Sequence, residues 1–527
     1  MARLFGGAAL ALVFFLAPLA GAWSAEGKLV STTDTASQTL IGVIILSVFT
    51  VLALDKAHRV LVVLGAVGLI FALTYLTPIK LISFENAHAA IDLNVIFLLA
   101  SMMALVGVLK TTNVFAWAVA QLLRHARGNP TVVGRLIIWF TAILSAFLDN
   151  VTTVIFAFPM ATRMAKLLKI NGAAFFLPMV MAANIGGTAT LIGDPPNILI
   201  GSGAGLPFMA FIYNLTAPIL VMMVALVWFS ERYYVNDIGR KSVARADAGS
   251  AGDDAIDTTL HNVPLLRGTA VVTGFIFVGF ATHTLTGMPA AVPAVIGVSL
   301  ILILQDYFYL RAHKPTHSER QHGILHIIEK EIEWPTLAFF IFLFIAVGAA
   351  VETGLIDSVA RGLLLLIHSL QSAFGLSPTG TLLLAALVIL WVSGFASALI
   401  DNIPYTAVSI PIIAKMTTDL PGETQVLWWA LALGACLGGN GTLIGASANV
   451  TVVGLAEKEG RRISFGEFTR FGAPVTAITL AISTVYLAGW VFIGAVPATI
   501  ASLAVFALLF AAQMILARPR QAGRATA

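Results

Sequence analysis

Nearly every segment of this chain that is long enough to cross a bilayer is apolar along its whole length. Such runs fall at 38–54, 59–77, 92–109, 136–161, 173–200, 208–229, 268–285, 288–306, 335–351, 380–414, 425–453, 472–494 and 496–516. A helix of about 20 apolar residues spans a hydrocarbon core roughly 30 Å thick. The sequence is 58% hydrophobic and 11% charged, against roughly 25% charged in soluble domains. The chain is therefore an all-α polytopic membrane protein. Two shorter apolar stretches, 113–123 and 355–370, each follow a span directly and read as helices lying along the interface or, alternatively, as short crossings.

The net charge of +4 is modest, and the basic residues sit between the apolar runs, following the bias of Lys and Arg for cytoplasmic loops. No basic patch interleaved with aromatics points to nucleic acid. The single cysteine, Cys436, excludes an internal disulfide framework and a cysteine-based metal cluster. Residues 1–22 carry an early Arg, a short apolar run and Ala20-Gly21-Ala22. They read either as a bacterial secretory signal or as an uncleaved first span. The polar stretch 231–268 lacks apolar periodicity and reads as a linker between two halves. A second polar loop, 311–334, is His-rich but has no acidic or Cys partners at ligand spacing, and reads as solvated. Arg232, Arg240, Lys241, Arg245 and Arg267 place the linker in the cytoplasm, and Arg518, Arg520 and Arg524 place the C-terminus there too.

Two polar motifs inside the apolar runs recur. Ser145-Ala-Phe-Leu-Asp149-Asn150 matches Ser397-Ala-Leu-Ile-Asp401-Asn402, and Gly186-Gly187-x-x-Thr190-Leu-Ile-Gly193-x-x-x-Asn197 matches Gly438-Gly439-x-x-Thr442-Leu-Ile-Gly445-x-x-x-Asn449. From 149 to 401 and from 186 to 438 the offset is the same 252 residues, which points to duplication. A weaker echo sets 106–115 against 347–356. The expected organisation is N-terminal spans over 38–91, a first repeat over 92–230, a cytoplasmic linker over 231–267, linking spans and the polar loop over 268–332, a second repeat over 333–490 and a C-terminal span over 496–516. Five crossings separate the two Asp-Asn motifs, at 173–200, 208–229, 268–285, 288–306 and 335–351. An odd number inverts the second repeat, and inverted repeats with broken helices near the midplane mark secondary transporters.

Arg135 and Arg163 bracket a 27-residue apolar run with Asp149 near its centre. As one straight helix it would measure roughly 40 Å, too long for a single span. As a re-entrant hairpin it becomes two arms of about 20 Å with the Asp-Asn tip deep in the membrane, and both arginines then share one face. The same reading suits 380–415, with Pro404 helping to reverse the chain and Lys415 facing outward. Irregular backbone at that depth is tolerated only where it lines a cavity or an ion. A carboxylate there costs at least ~2.5–3.5 kcal/mol, so Asp149 and Asp401 read as cation ligands or proton carriers. Each is also a good N-cap for its own hairpin arm.

In the second motif, glycines allow unwinding and Thr190 or Thr442 can offer a hydroxyl to a cation. Pro195-Pro196 enforces the first break, whereas the prolines are lacking in the second half, where a softer break is expected. Asp194 adjoins the break and is either a third site carboxylate or a turn residue; its counterpart is Ala446. Asp92 and Glu352 lie near span ends and read as solvated. Met102, Met103 and the Phe cluster over 339–344 read as packing residues.

At these motifs the chain resembles the ion transporter superfamily, in the branch holding arsenite permeases, D-type sodium–proton antiporters and the P protein. The divalent anion–sodium symporters are more distant relatives. The resemblance implies a homodimer whose transport domain carries two re-entrant hairpins and two broken helices and moves by an elevator-type shift. In the dicarboxylate branch the hairpin tips read Ser-Asn-Thr and bind sodium; here they read Asp149-Asn150-Val151 and Asp401-Asn402-Ile403. Two added carboxylates repel a dianion and favour a cation, a proton-coupled step, or a neutral or cation-paired solute.

The expected function is secondary active ion transport in a bacterial-type inner membrane, with sodium–proton antiport first and an arsenite or other anion permease next. An ion channel is the alternative from another class, and no catalytic residue is identified. The expected site comprises Asp149, Asn150, Thr152, Asn184, Gly187, Thr190, Asn197, Asp401, Asn402, Thr406, Gly439, Asn440, Thr442 and Asn449. Sodium is expected at Asp149, Asn150, Asp401 and Asn402, and proton transfer at Asp149, Asp401 or Asp194. Sodium or a proton serves as coupling ion, and no other cofactor is expected. The partners are a small inorganic ion or anion and the lipid bilayer.

Overall fold

The computed structural model describes residues 35–54, 57–126, 129–235, 259–313 and 327–516. Residues 1–22, most of the linker, the centre of the His-rich loop and the C-terminal arginines lie outside the described residues. Among the described residues the fold is all-helical, and eleven helices are long and apolar enough to cross a membrane.

Three helices come first: α1 (Thr35–Ala53), α2 (Arg59–Leu76) and the short α3 (Phe84–Ala89). The first repeat opens with α4 (Leu93–Thr111), whose N-terminus is capped by Asp92 through the Asn94 and Val95 amides. The amphipathic α5 (Val114–Ala126) follows. A hairpin of α6 (Pro130–Ser145) and α7 (Asn150–Leu168) comes next, then the broken pair α8 (Ala173–Gly187) and α9 (Pro195–Gly203), and then α10 (Phe208–Tyr233). Two linking helices, α11 (Val263–Thr286) and α12 (Ala291–His313), and a single π turn over Ile327–Glu331 lead to the second repeat. There the order recurs as α13 (Trp334–Glu352), the amphipathic α14 (Leu355–Phe374), the hairpin α15 (Pro378–Leu399) and α16 (Asn402–Asp419), the broken pair α17 (Val426–Gly438) and α18 (Ser447–Lys458), and α19 (Phe465–Ile493). The last described helix is α20 (Ala495–Leu516).

The weak echo upstream of the hairpins has a structural cause. It aligns Asn113 with Gly354, and both adopt left-handed backbone, with φ of 58° and 73°. That conformation favours Gly and admits Asn, and in both repeats it turns the chain from a spanning helix into the amphipathic one.

The hairpin arms exceed the predicted length. They hold 16 and 19 residues in the first repeat and 22 and 18 in the second, or about 24–33 Å. Asn129 and Ser377 cap the entering arms outside the apolar runs, so the helices continue into polar sequence. Pro404 does not reverse the chain. It sits in the first turn of α16, where a missing N–H costs nothing, and the reversal falls at Ile400-Asp401. Nor is the second break softer: α17 stops at Gly438 and α18 starts at Ser447, with only a 3₁₀ turn over Leu443–Gly445 between them.

The repeats interlock reciprocally. α9 packs on the return arm α16 of the other repeat, and α18 packs on α7. Likewise α2 packs on α13, and α12 on α4. Ion pairs mark one end of the bundle: Lys110–Glu331 at 2.9 Å, Lys166–Glu459 at 2.6 Å and Arg135 with Glu231. Arg59, Arg163, Arg232 and Lys458 close or open helices at the same end. Lys415 lies at the other end, where Asp357 of α14 stands 3.5 Å away and offsets its charge.

Candidate ion and substrate site

Two broken helices and two hairpin tips meet in the interior, and glycine makes the approach feasible. A Cβ on Gly186 would collide with the Ala142 carbonyl, and one on Gly438 with the carbonyl of Gly394 at 2.5 Å. Ala142 and Gly394 are themselves related by the 252-residue offset. A Cβ on Gly187 would stand 2.7 Å from the Gly193 oxygen and closer still to Asn150 Oδ1, whereas Gly439 has its nearest neighbour at 3.1 Å. Ser145 donates to Asn150 Oδ1 at 2.5 Å, which fixes that side chain against Gly187.

The hydroxyls of Thr190 and Thr442 donate to the carbonyls of Ala146 and Ala398. Each thus ties a broken helix to its hairpin tip, a role sequence reasoning did not assign. Asn197 Nδ2 donates to the Thr188 and Thr190 carbonyls at 3.0 and 2.8 Å. Asn449 Nδ2 donates to Thr442, the counterpart of Thr190, at 3.0 Å and to Gly439, one residue before the counterpart of Thr188, at 2.7 Å. The carbonyls that unwinding frees are therefore partly satisfied by these amides, as buried polar groups require. Thr406 donates to the Asn402 carbonyl at 2.7 Å, and the Thr152 amide is the group that Asp149 caps, so both threonines serve their own hairpin arm.

The breaks cross at the pseudo-twofold. Asn184 Nδ2 donates to Asn440 Oδ1 at 2.8 Å and Asn449 Oδ1 at 3.1 Å. The residue 252 positions after Asn184 is Cys436, and its thiol approaches Asn197 Oδ1 at 3.6 Å. Cys436 is thus the counterpart of Asn184, a role the offset already encoded.

A cavity of about 400 Å³ opens beside this crossing. It is lined by Asp149, Asn150, Asn184 and Asp194 from the first repeat, Asn402, Ser447 and Thr451 from the second, and His58, Arg59 and Glu333 at its mouth. Met103 and Phe340, expected to be packing residues, form part of its apolar wall. Asp149 accepts from the Thr152 amide at 2.8 Å and has no ion-pair partner among the described residues. Asp194 precedes α9 but does not cap it; the residue is 2% exposed and its Oδ2 is unpartnered. Asn184 Oδ1 is also buried and unpartnered. Burying such oxygens without compensation costs roughly 1–3 kcal/mol each, and more if charged.

Asp401 is placed differently. It faces a small satellite cavity together with Arg59 and Ile444, and Arg59 Nη1 reaches its Oδ2 at 3.3 Å. The structure therefore brings Asn150 and Asn402 into one cavity but turns the second acid away from the first. Arg59 lies in no repeated motif, and Ser447 occupies a variable position of the second one, opposite Pro195. At the opposite end, Asp92 and Glu352 line a separate cavity between α9, α13 and α16.

Inverted repeats, paired hairpins, broken helices and an open cavity carrying several polar side chains between them define a membrane transporter. The chain belongs to the family described as CitMHS, citrate transporter, which matches residues 44–434. It is 36% identical over 447 residues to an uncharacterized transporter of Mycobacterium tuberculosis, covering 84% of this chain and 96% of the relative. It is 30% identical over 523 residues to the human P protein, covering 85% of this chain and 59% of that protein. In fold it is similar to the YdaH transporter of Alcanivorax borkumensis, with a TM-score of 0.55 at 15% identity over 87% of this chain and 98% of that one.

Proposed function

We propose that the chain is a secondary active ion transporter exchanging sodium for protons, with Asp149 and Asp194 as the carboxylates that the two ions contest. The observation that carries this reading is a pair of first-repeat acids facing one cavity with no ion-pair partner among the described residues, beside the unpartnered Asn184 oxygen. If both ions need the same carboxylates, loading one expels the other, and this competition is the coupling. The clustering of Arg and Lys at the end of the bundle where the cavity mouth lies supports a cytoplasmic orientation for that end, and hence a cytoplasmic C-terminus in a bacterial-type inner membrane. The transport domain would be the two hairpins with the broken helices, shifting as an elevator within a homodimer.

A second reading is a permease for arsenite or another small anion. It is supported by the cavity volume, which exceeds what a bare ion fills, and by the family's description as citrate transporters. An anion would enter with a cation that offsets Asp149.

Reconstitution in liposomes loaded with a pH-sensitive dye tests both readings. Sodium, lithium, arsenite and citrate are offered in turn. The first reading expects a sodium gradient alone to move protons; a response only to arsenite or citrate would replace it with the second. Large voltage-driven currents without saturation would instead indicate a channel.

A further inference from the structure

Asp401 is engaged through both of its oxygens. Its Oδ1 accepts the Ile403 amide at 3.1 Å. Its Oδ2 accepts the Ser447 hydroxyl at 2.9 Å and meets Arg59 Nη1 at 3.3 Å, while that same Nη1 donates to Ser447 Oγ at 2.7 Å. The three side chains form a closed triangle at the hairpin tip, where the Asp401 side chain is 14% exposed. Asp149 is held only by the first turn of its own helix, through the Thr152 amide at 2.8 Å, and has no ion-pair partner among the described residues.

Arg59 comes from α2, which lies outside both repeats. The helix equivalent to α2 is α12, since each packs on the first helix of a repeat. Setting Leu64-Gly65-Ala66 on Ile296-Gly297-Val298 places Arg59 opposite Ala291. The first repeat thus has no arginine at the equivalent position.

We propose that Arg59 is a built-in cation that occupies the second-repeat carboxylate site in the conformation of this structure, leaving only the first-repeat site for a diffusible cation. The inference deepens the transport reading above and rests on it for the word "site". A guanidinium held by a carboxylate and a hydroxyl fills the place a hydrated ion would otherwise have to enter, and it does so without a binding step. The protein would then exchange one cation per protomer where the sequence symmetry suggests two.

The test is the thermal midpoint of the purified full-length protein at constant ionic strength, with sodium or guanidinium exchanged for N-methylglucamine. Ligand binding to the native state raises the midpoint. Arg59→Gln is expected to gain a cation-dependent rise of at least about 2 °C that the wild type lacks at this site. The gain should vanish in Arg59→Gln/Asp401→Asn, and Arg59→Lys, which keeps the charge, should show none. No gain in Arg59→Gln, or a gain that survives Asp401→Asn, overturns the proposal. If Arg59→Gln is unstable on purification, guanidinium present throughout should rescue it, and failure of that rescue also overturns it. The wild type's own sodium response, expected to disappear in Asp149→Asn, is read in parallel. Its absence would count against sodium coupling while leaving the guanidinium comparison at Asp401 decisive.

Discussion

The two hairpin tips are built from the same Ser-Ala-x-x-Asp-Asn sequence and end in different electrostatic states. In the first, Ser145 holds Asn150 and the acid faces the cavity. In the second, Ser397 donates instead to the Ala435 carbonyl, and the acid is held by Arg59 and Ser447. Duplication supplied two equal carboxylates; Arg59 from outside the repeats, and Ser447 at a variable motif position where the first repeat has Pro195, made them unequal. Symmetry of sequence therefore fixes where polar groups enter the membrane, and the neighbours decide which of them remain free for chemistry.

This contrast can be broken at several strengths. The largest effect is expected from Asp149→Asn, which should reduce sodium-driven proton movement in liposomes to the level of empty vesicles. Next comes the glycine pair. Gly187→Ala forces a Cβ against Asn150 and the Gly193 carbonyl, an overpacking that costs about 1–3 kcal/mol or more. Gly439→Ala should be milder, since its nearest neighbour is 3.1 Å away. Comparing the thermal midpoints of the two variants measures how far the breaks differ in tightness. Asn197→Ala and Asn449→Ala each strip two carbonyls of a donor and should cost about 1–3 kcal/mol apiece. Here Asn449→Ala should cost more than Asn197→Ala, because Asn449 Oδ1 also accepts from Asn184 at 3.1 Å whereas Asn197 Oδ1 meets only the Cys436 thiol at 3.6 Å. The smallest effect belongs to Lys166→Ala. The Lys166–Glu459 pair joins the repeats on the exposed surface, where such pairs are worth ~1 kcal/mol or less. A large loss of stability there would mean the surface contact carries more of the interlock than the buried crossing.

Much of this was legible in the sequence. Apolar runs located the helices, the equal offset located both hairpins and both breaks, and the odd number of passages gave the inversion. Asp149, Asn150, Asn184 and Asn402 converge on one cavity as the motifs implied. What could not be read is instructive. Arm length was underestimated because capping by Asn129 and Ser377 extends helices past the apolar residues. Pro404 was misread because proline breaks a helix only beyond its first turn. The second break needed no prolines, since Gly438, Gly439, Gly441 and Gly445 supply it. Thr190 and Thr442 turned out to bind backbone carbonyls, a distinction between free and engaged hydroxyls that no motif encodes. Arg59 was invisible because its partner lies 342 residues away in a different element. Cys436 was available from the offset, yet it does not resemble the Asn184 it replaces.

The most direct test of the central claim, that one acid is open and the other is occupied, is equilibrium binding of radioactive sodium to the purified protein. The account predicts saturable binding of a single ion per protomer, lost in Asp149→Asn and retained in Asp401→Asn. Binding that survives Asp149→Asn and disappears in Asp401→Asn would contradict it.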